Sequence, residues 1–279
     1  MEVPWADNIR SGTWAVVTKQ HWWSAAVAVA TRRRLITEVD CRSSFRLQCL
    51  ETPYSGAWLN VLPADHIGSP IDNTSYQHLL RFRLGLPLLL PTSVGQACTL
   101  CSEPLDGFGD HLLCCKKGNP WARHNFLRNI LMDILVDAGF RVKSEVAIDG
   151  MERPADIFIT NWDRGRDACF DVTVVDSSPL DELTKAEHRK VMRYRHLFPQ
   201  GGQFDFFPLG FSTTGQFGPS AQKVLDRLQS LKGWSKATQD GQGNPSVGTR
   251  VALTIARTVG AQLSLAVLCP PLSVDGDHE

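Results

Sequence analysis

Two aspartates, Asp156 and Asp171, occupy corresponding points of two short apolar runs, Ala155 to Ile159 and Ala168 to Val175, separated by a polar loop. An isolated carboxylate is too costly to bury, so an acid at the edge of a buried strand must be hydrated, paired or bound to a cation. Neighbouring strands lie about 4.8 Å apart, which lets two carboxylates at matched heights share one divalent ion. Mg2+ suits such a pair, because it accepts one or two protein carboxylates and leaves the rest of its shell to water and substrate phosphate. The chemistry this would support is phosphodiester hydrolysis, with the ion polarising the phosphate and activating a bound water. The residues alone leave a second reading open, in which both acids cap turns or pair with Arg153, Arg164 or Arg166. Asp176, just past the second run, reads as a helix N-cap or an exposed loop residue.

A second constellation lies upstream. Cys98-x2-Cys101 is followed by His111, Cys114 and Cys115, all within eighteen residues. A two-residue gap lets one turn point both sulfurs at a single ion, and two further ligands close a tetrahedral zinc site. Cys114 and Cys115 cannot both be needed, and unliganded buried thiols are the alternative. The chain holds eight cysteines, too few for a disulfide scaffold at this length, so the cluster reads as metal binding in a reducing, intracellular compartment.

These residues need elements to position them. Phe126, Leu127, Ile130, Leu131, Ile134 and Ala138 fall at helical spacing, and Gly139 follows where a C-terminal cap belongs. Three apolar stretches without helical period then follow, Val142 to Ile148, Ala155 to Ile159 and Ala168 to Val175, and read as strands. Pro179 opens a helix through about Leu197, and Gln203 to Ser212 supplies a fourth strand. The predicted order is α, β, β, β, α, β, an α/β (α+β) arrangement. Pro219 to Leu231 reads as a helix, Gly233 to Gly248 as a loop, and the segment ending near Leu268 as a packed helix too short and too polar for a bilayer span. The tail Ser273 to Glu279 reads as disordered. Residues 1–97 form a helical, linker-like region without catalytic residues, in which Arg32, Arg33 and Arg34 read as a solvated helix face.

Lysine plus arginine equals aspartate plus glutamate, 29 each, so net charge argues for neither nucleic acid nor membrane. The N-terminus lacks the basic and apolar regions of a secretory signal, which argues against export. Hydrophobic residues make up 43% of the chain, enough for a core. Local charge is more informative: Lys185 to Arg195 carries five basic residues against Glu187 alone, and Arg189 and Arg193 there could track phosphates.

The segments "CTLC", "GDHLLCC", "ARHNFLRNIL", "SEVAI", "RPADIFI", "FDVTVVD" and "AEHRKVMRYR", in that order, resemble the C-terminal region of non-LTR retrotransposon proteins that carry a restriction-like endonuclease. In that family a zinc knuckle precedes a PD-(D/E)xK-type nuclease domain. The resemblance is most specific from Cys98 to Arg195, and extends more weakly to "SGAWLNVLP", "LLRFRLGLPL" and "FFPLGFSTTGQFGPSA". No adjacent aspartate pair occurs in the chain, so the polymerase signature of such elements is missing and polymerase activity is excluded.

The resemblance implies a restriction-endonuclease-like αβββαβ core over 121–232, a zinc knuckle over 98–120, and a loop, C-terminal helix and tail over 233–279. It implies a metal-dependent endodeoxyribonuclease with catalytic Mg2+ and structural Zn2+, DNA as partner with element RNA as a second, and a nuclear location. It favours Cys115 over Cys114, giving Cys98, Cys101, His111 and Cys115 as the zinc ligands. It selects the metal-site reading for Asp156 and Asp171, adds Glu145 as the further acid, with an exposed glutamate on an edge strand as the other reading of that residue, and gives Arg123 and His124 a role in DNA contact or in docking the knuckle. Two departures stand out: Pro154-Ala155-Asp156 replaces the family's proline-aspartate, and Thr173 replaces its lysine. Leu183, Ala186, Lys190, Arg193 and Leu197 share one helical stripe that Lys185 does not, so Lys190 is expected to face the sheet and stand in for that lysine. Loss of the lysine also keeps a competing reading open, a noncatalytic zinc-dependent nucleic-acid-binding module.

Overall fold

A computed structural model describes residues 20–62, 70–118, 120–148, 152–176, 180–198, 202–231 and 245–268. The predicted tail and most of the predicted Gly/Ser-rich loop lie outside these residues. The chain separates into two compact units, Met1–Gln48 and Cys49–Glu279.

The first unit holds helix α1 (Gln20–Glu38) and most of helix α2 (Cys41–Cys49). Asp40 starts α2 by accepting hydrogen bonds from the Arg42 and Ser43 N–H groups at 3.0 and 3.1 Å. Arg33 and Arg34 are exposed, and Arg34 pairs with Glu38 one turn on.

The second unit is built on a four-stranded mixed sheet in the order β1 (Arg141–Ile148), β2 (Glu152–Asp163), β3 (Arg166–Val175), β4 (Phe204–Ser212). Strands β1, β2 and β3 are antiparallel neighbours, and β4 runs parallel to β3. Helix α3 (Asn73–Leu84) and the short α4 (Asp110–Cys114) precede α5 (Pro120–Asp137), which leads into β1. Helix α6 (Leu180–Tyr194) makes the crossover that a parallel β3–β4 pair requires, and α7 (Pro219–Leu231) and α8 (Val247–Leu268) follow.

The core lies on one face of the sheet. Ile157, Ile159, Ala168, Phe170 and Phe211 pack with Leu127, Leu131 and Ile134 of α5 and with apolar residues of α7 and α8. Helix α6 packs on β3 and β4 and buries Leu183, Ala186 and Tyr194 outside that cluster. Since alternate strand residues point to opposite faces, β3 is covered on both sides, and so Asp171 is 5% exposed although its neighbours are apolar.

Several expectations are corrected here. The polar stretch after Ile159 is mostly strand: β2 continues to Asp163, which pairs with Arg166 across a two-residue turn. Arg164 and Gly165 both have positive φ, +48° and +85°, the backbone twist that tight hairpins need. Trp162 explains the extension, because its ring is buried against Phe140 and Phe170 with Arg227 4.6 Å above it. The final helix begins at Val247, inside the predicted loop. The described residues of 49–62 and 70–97 fall in the compact unit that carries the sheet, where α3 packs on α8 and buries Leu79 and Phe82. Among the described residues, no helix is long and apolar enough to cross a membrane.

Glu187, read as part of a basic helix face, is turned inward and is 6% exposed. Its carboxylate accepts the backbone N–H groups of Gly210, Ser220 and Ala221 at 3.1, 3.0 and 3.3 Å, and so caps the first turn of α7. Burial raises its pKa against these hydrogen bonds, which lower it. Glu187→Ala is expected to lower stability by about 2–3 kcal/mol in urea unfolding, because three buried donors lose their acceptor.

Candidate functional site

The zinc-type loop begins as a tight hairpin. Ala97 bridges Pro104, Cys98 N–H donates to Glu103 O at 2.8 Å, and Ser102, at φ +64°, donates back to Cys98 O at 2.8 Å. This turn carries Cys98 and Cys101. Asp106 then accepts N–H groups from Phe108, Asp110 and His111 at 2.8, 3.2 and 2.6 Å, which folds the chain into α4. Gly109 must be glycine: its φ is +87°, and a Cβ would lie 2.6 Å from Leu88. His111 and Cys115 are four residues apart at α4, so they fall on one face a turn apart, whereas Cys114 points elsewhere.

The donor atoms of Cys98, Cys101, His111 and Cys115 all lie within 4.8 Å of one another, with Cys101 Sγ 3.3 Å from His111 Nε2. Tetrahedral zinc with bonds of about 2.0–2.3 Å holds its ligands roughly 3.5 Å apart, so this group can bind a metal such as zinc. Burial works against the Cys98 thiolate, but the Cys101 and Leu100 N–H groups and His111 lower its pKa to about 6. The Glu103 N–H favours the Cys101 thiolate, but desolvation and the Cys115 and Cys98 sulfurs outweigh it and raise that pKa. A bound cation relieves this crowding of sulfurs. Among the described residues this is the one group of three or more such side chains placed to hold a metal ion.

The two aspartates meet where β2 and β3 part. The β2–β3 ladder pairs Ile157 with Phe170, and continuing that register sets Asp156 opposite Asp171. Instead of a further backbone pair, Asp156 Oδ2 accepts the Val172 N–H at 2.7 Å. Its Oδ1 lies 3.2 Å from His124 Nε2, which the start of α5 brings over the strand end. Burial raises the Asp156 pKa, but His124, the Val172 N–H and Lys190 together bring it below the ordinary value. Asp171 behaves oppositely: burial pushes it up to about 6, against the lowering effect of Lys190 and with a further push from Asp156.

Lys190 reaches Asp171 from α6, its Nζ 3.2 Å from Oδ1 and 2.9 Å from Oδ2. The Oδ2 atom has this ion pair as its contact, and buried Thr173 Oγ1, two residues on, has no hydrogen-bond partner. Lys185 points away and pairs with Asp181 and Glu182. Of the arginines considered for the aspartates, Arg166 instead binds Asp205, at 2.6 Å, and the Arg153 side chain lies outside the described residues.

Glu145 takes its other reading, an exposed glutamate on edge strand β1. Its register places it across from Asp156, between the pairs Ser144–Ile157 and Val146–Ala155. Its backbone, however, has φ +52°, and its exposed carboxylate binds Arg128 Nη1 at 2.6 Å. The strand irregularity carries the side chain to α5 instead of into the fork. Of the two roles expected for Arg123, its contacts fit docking of the metal-binding loop. At 6% exposure it is no free DNA contact; Nη2 donates to Leu113 O at 2.7 Å, and Nη1 lies 4.0 Å from Asp176 Oδ1. Cys114 Sγ donates to the same carboxylate. Arg123, Cys114 and Asp176 thus tie the metal-binding loop to the end of β3. His124 likewise faces Asp156 rather than solvent. Arg189 and Arg193 are exposed on α6, with Arg193 5.1 Å over the Tyr194 ring.

Sequence reasoning missed both the Asp156–His124 pair and the Cys114–Asp176–Arg123 tie. Each joins residues distant in the chain, and neither has a spacing signature. Arg123→Ala is expected to destabilise the fold by about 3 kcal/mol in urea unfolding, since it strips Leu113 O of its donor and leaves Asp176 without a cation. Arg123→Lys is expected to recover little, because an ammonium cannot span both acceptors as a guanidinium does.

Against known proteins, the chain matches no family model and no curated sequence.

Proposed function

We propose that the chain is a metal-dependent DNA endonuclease of retrotransposon origin, with a restriction-endonuclease-like core formed by α5, β1, β2, β3, α6 and β4. The observation that carries the reading is Asp171, a buried mid-strand carboxylate beside Asp156 at a fork in the sheet, with a lysine against it. Lys190 neutralises one charge there, and the donor set of the two acids, two carboxylates and no sulfur, fits Mg2+.

Mg2+ held by Asp156 and Asp171 would supply Lewis acidity and a water of lowered pKa. The chain's own groups do the rest. The Val172 N–H and His124 fix the Asp156 carboxylate in place, which preorganises one ligand. Lys190 brings a positive charge to the mouth of the fork, where it offsets charge on the phosphate being cut. Arg189 and Arg193 extend that charge along α6 and hold neighbouring phosphates. The metal-binding loop, tied to β3 through Arg123, braces the strand that carries Asp171. A nuclear location and contact with element RNA accompany this reading.

The second reading, a noncatalytic zinc-dependent nucleic-acid-binding module, draws on one observation: Glu145 is bound to Arg128, so the family's further acid does not face the fork. Supercoiled plasmid incubated with the purified chain separates the two. Nicking that requires Mg2+ is the expected result. Binding to DNA without nicking in Mg2+ or Mn2+ would establish the second reading instead.

A further inference from the structure

Trp121 is the second residue of α5 and is 71% exposed, outside the hydrophobic cluster. Single exposed apolar side chains are ordinary, but an indole is the largest, and it is seldom left in water to this degree. Its position distinguishes it. The Trp121 ring meets the His124 ring edge-on at 6.5 Å and 78°, and His124 in turn lies 3.2 Å from Asp156. The indole therefore stands two contacts from the carboxylate pair, with most of its surface open. Lys116 and Lys117 are exposed in the turn a few residues before the helix.

An open aromatic ring two contacts from a carboxylate pair read as phosphate-cleaving is an arrangement that receives a nucleobase. Base–aromatic stacking is sequence-tolerant, and flanking cations hold the backbone. In intact B-form DNA the bases are stacked inside the duplex and cannot reach a ring at the level of the phosphates. A base that is unpaired already has paid little to leave the stack. We propose that Trp121 is a stacking platform for an unpaired DNA base next to the bond to be cut. Duplexes with a frayed, bulged or flapped base at that point are then preferred over intact duplex. This inference rests on the nuclease reading for its choice of DNA.

The test uses the full chain and two oligonucleotide duplexes of one sequence, one fully paired and one with three unpaired nucleotides. The unpaired stretch carries 2-aminopurine, whose fluorescence falls when it stacks. Affinities are measured without Mg2+ at one salt concentration, for the parent, Trp121→Ala and Trp121→Phe. The parent is expected to prefer the flapped duplex about tenfold and to quench the probe, the range that loss of one base–aromatic stack removes. In Trp121→Ala the affinity ratio should fall to about one and the quench should disappear, while Trp121→Phe keeps most of both. A parent without preference, a parent that binds neither duplex, or a Trp121→Ala variant that keeps preference and quench would overturn the inference. Trp121-dependent quenching in a chain that never nicks plasmid would instead remove the nuclease reading and leave the platform standing. Plasmid nicking without Trp121-dependent preference would remove the platform alone.

Discussion

Cys98→Ser combined with Cys101→Ser is expected to abolish zinc binding, from one ion per chain to none by elemental analysis, and to unfold the segment around residues 97–118. The apolar cluster of that segment is small, Leu105 with Cys98 and Cys115 and partly buried Leu89 and Leu112, so side-chain burial alone cannot hold its turns. Structural zinc contributes about 10–16 kcal/mol to the folding of small metal-bound peptides at neutral pH, and most of that would be lost here. The effect should spread, because Arg123 and Cys114 join the loop to Asp176 at the end of β3. Hydrogen exchange should therefore accelerate both in the loop and at amides 172–176. Protons compete with the metal for the cysteine sulfurs and the histidine, so zinc retention should weaken as pH falls. Full zinc content in the double variant would show that these sulfurs are not ligands.

Asp156→Ala and Asp171→Ala should each abolish Mg2+-dependent nicking while leaving DNA affinity near that of the parent. Affinity comes mainly from basic side chains on phosphates, and loss of an acid removes only repulsion. Lys190→Ala should reduce nicking strongly and Lys185→Ala little, since Lys190 contacts Asp171 whereas Lys185 pairs with Asp181 and Glu182 on its own helix. Stability should move the other way from activity. Asp171 holds its proton in the folded chain up to about pH 6, against 3.8 ordinarily. The folded state then binds more protons than the unfolded chain between those values, so stability falls as pH rises from about 4 through about 6. Asp171→Asn lacks that loss and should be about 2 kcal/mol more stable at pH 7 without Mg2+, near two pKa units at 1.36 kcal/mol each after some relaxation. Adding Mg2+ should stabilise the parent but not the variant, because only the parent binds it. Nicking that persists in both alanine variants would rule the fork out as the cleavage site.

Much of this molecule could be read from the chain by itself, for local reasons. Helical spacing in α5, α6 and α7, and runs of β-branched residues in β3, are written in neighbouring residues, and the order α, β, β, β, α, β followed from them. The metal-binding group was legible in its clustering, because a hairpin and one helical turn bring Cys98, Cys101 and His111 together by short-range geometry, whereas the choice of Cys115 over Cys114 came from the family resemblance. The stripe carrying Lys190 was legible because helix geometry alone sets which side chains share a face. What only tertiary packing decided lies between elements. Asp156 fills a gap where two strands part, and His124 reaches it from a helix thirty-odd positions earlier, a meeting that no spacing encodes. Arg123 is buried because the loop and β3 close over it, and Glu187 faces inward because α7 begins beside it and presents two free N–H groups, with Gly210 of β4 supplying a third. Glu145 shows the limit most clearly: its register across from Asp156 follows from strand pairing, yet one residue of left-handed backbone and the nearby Arg128 turn its charge away. A side chain's direction is settled by the partner that neutralises its charge most cheaply in three dimensions, and that partner need not lie near it in the sequence.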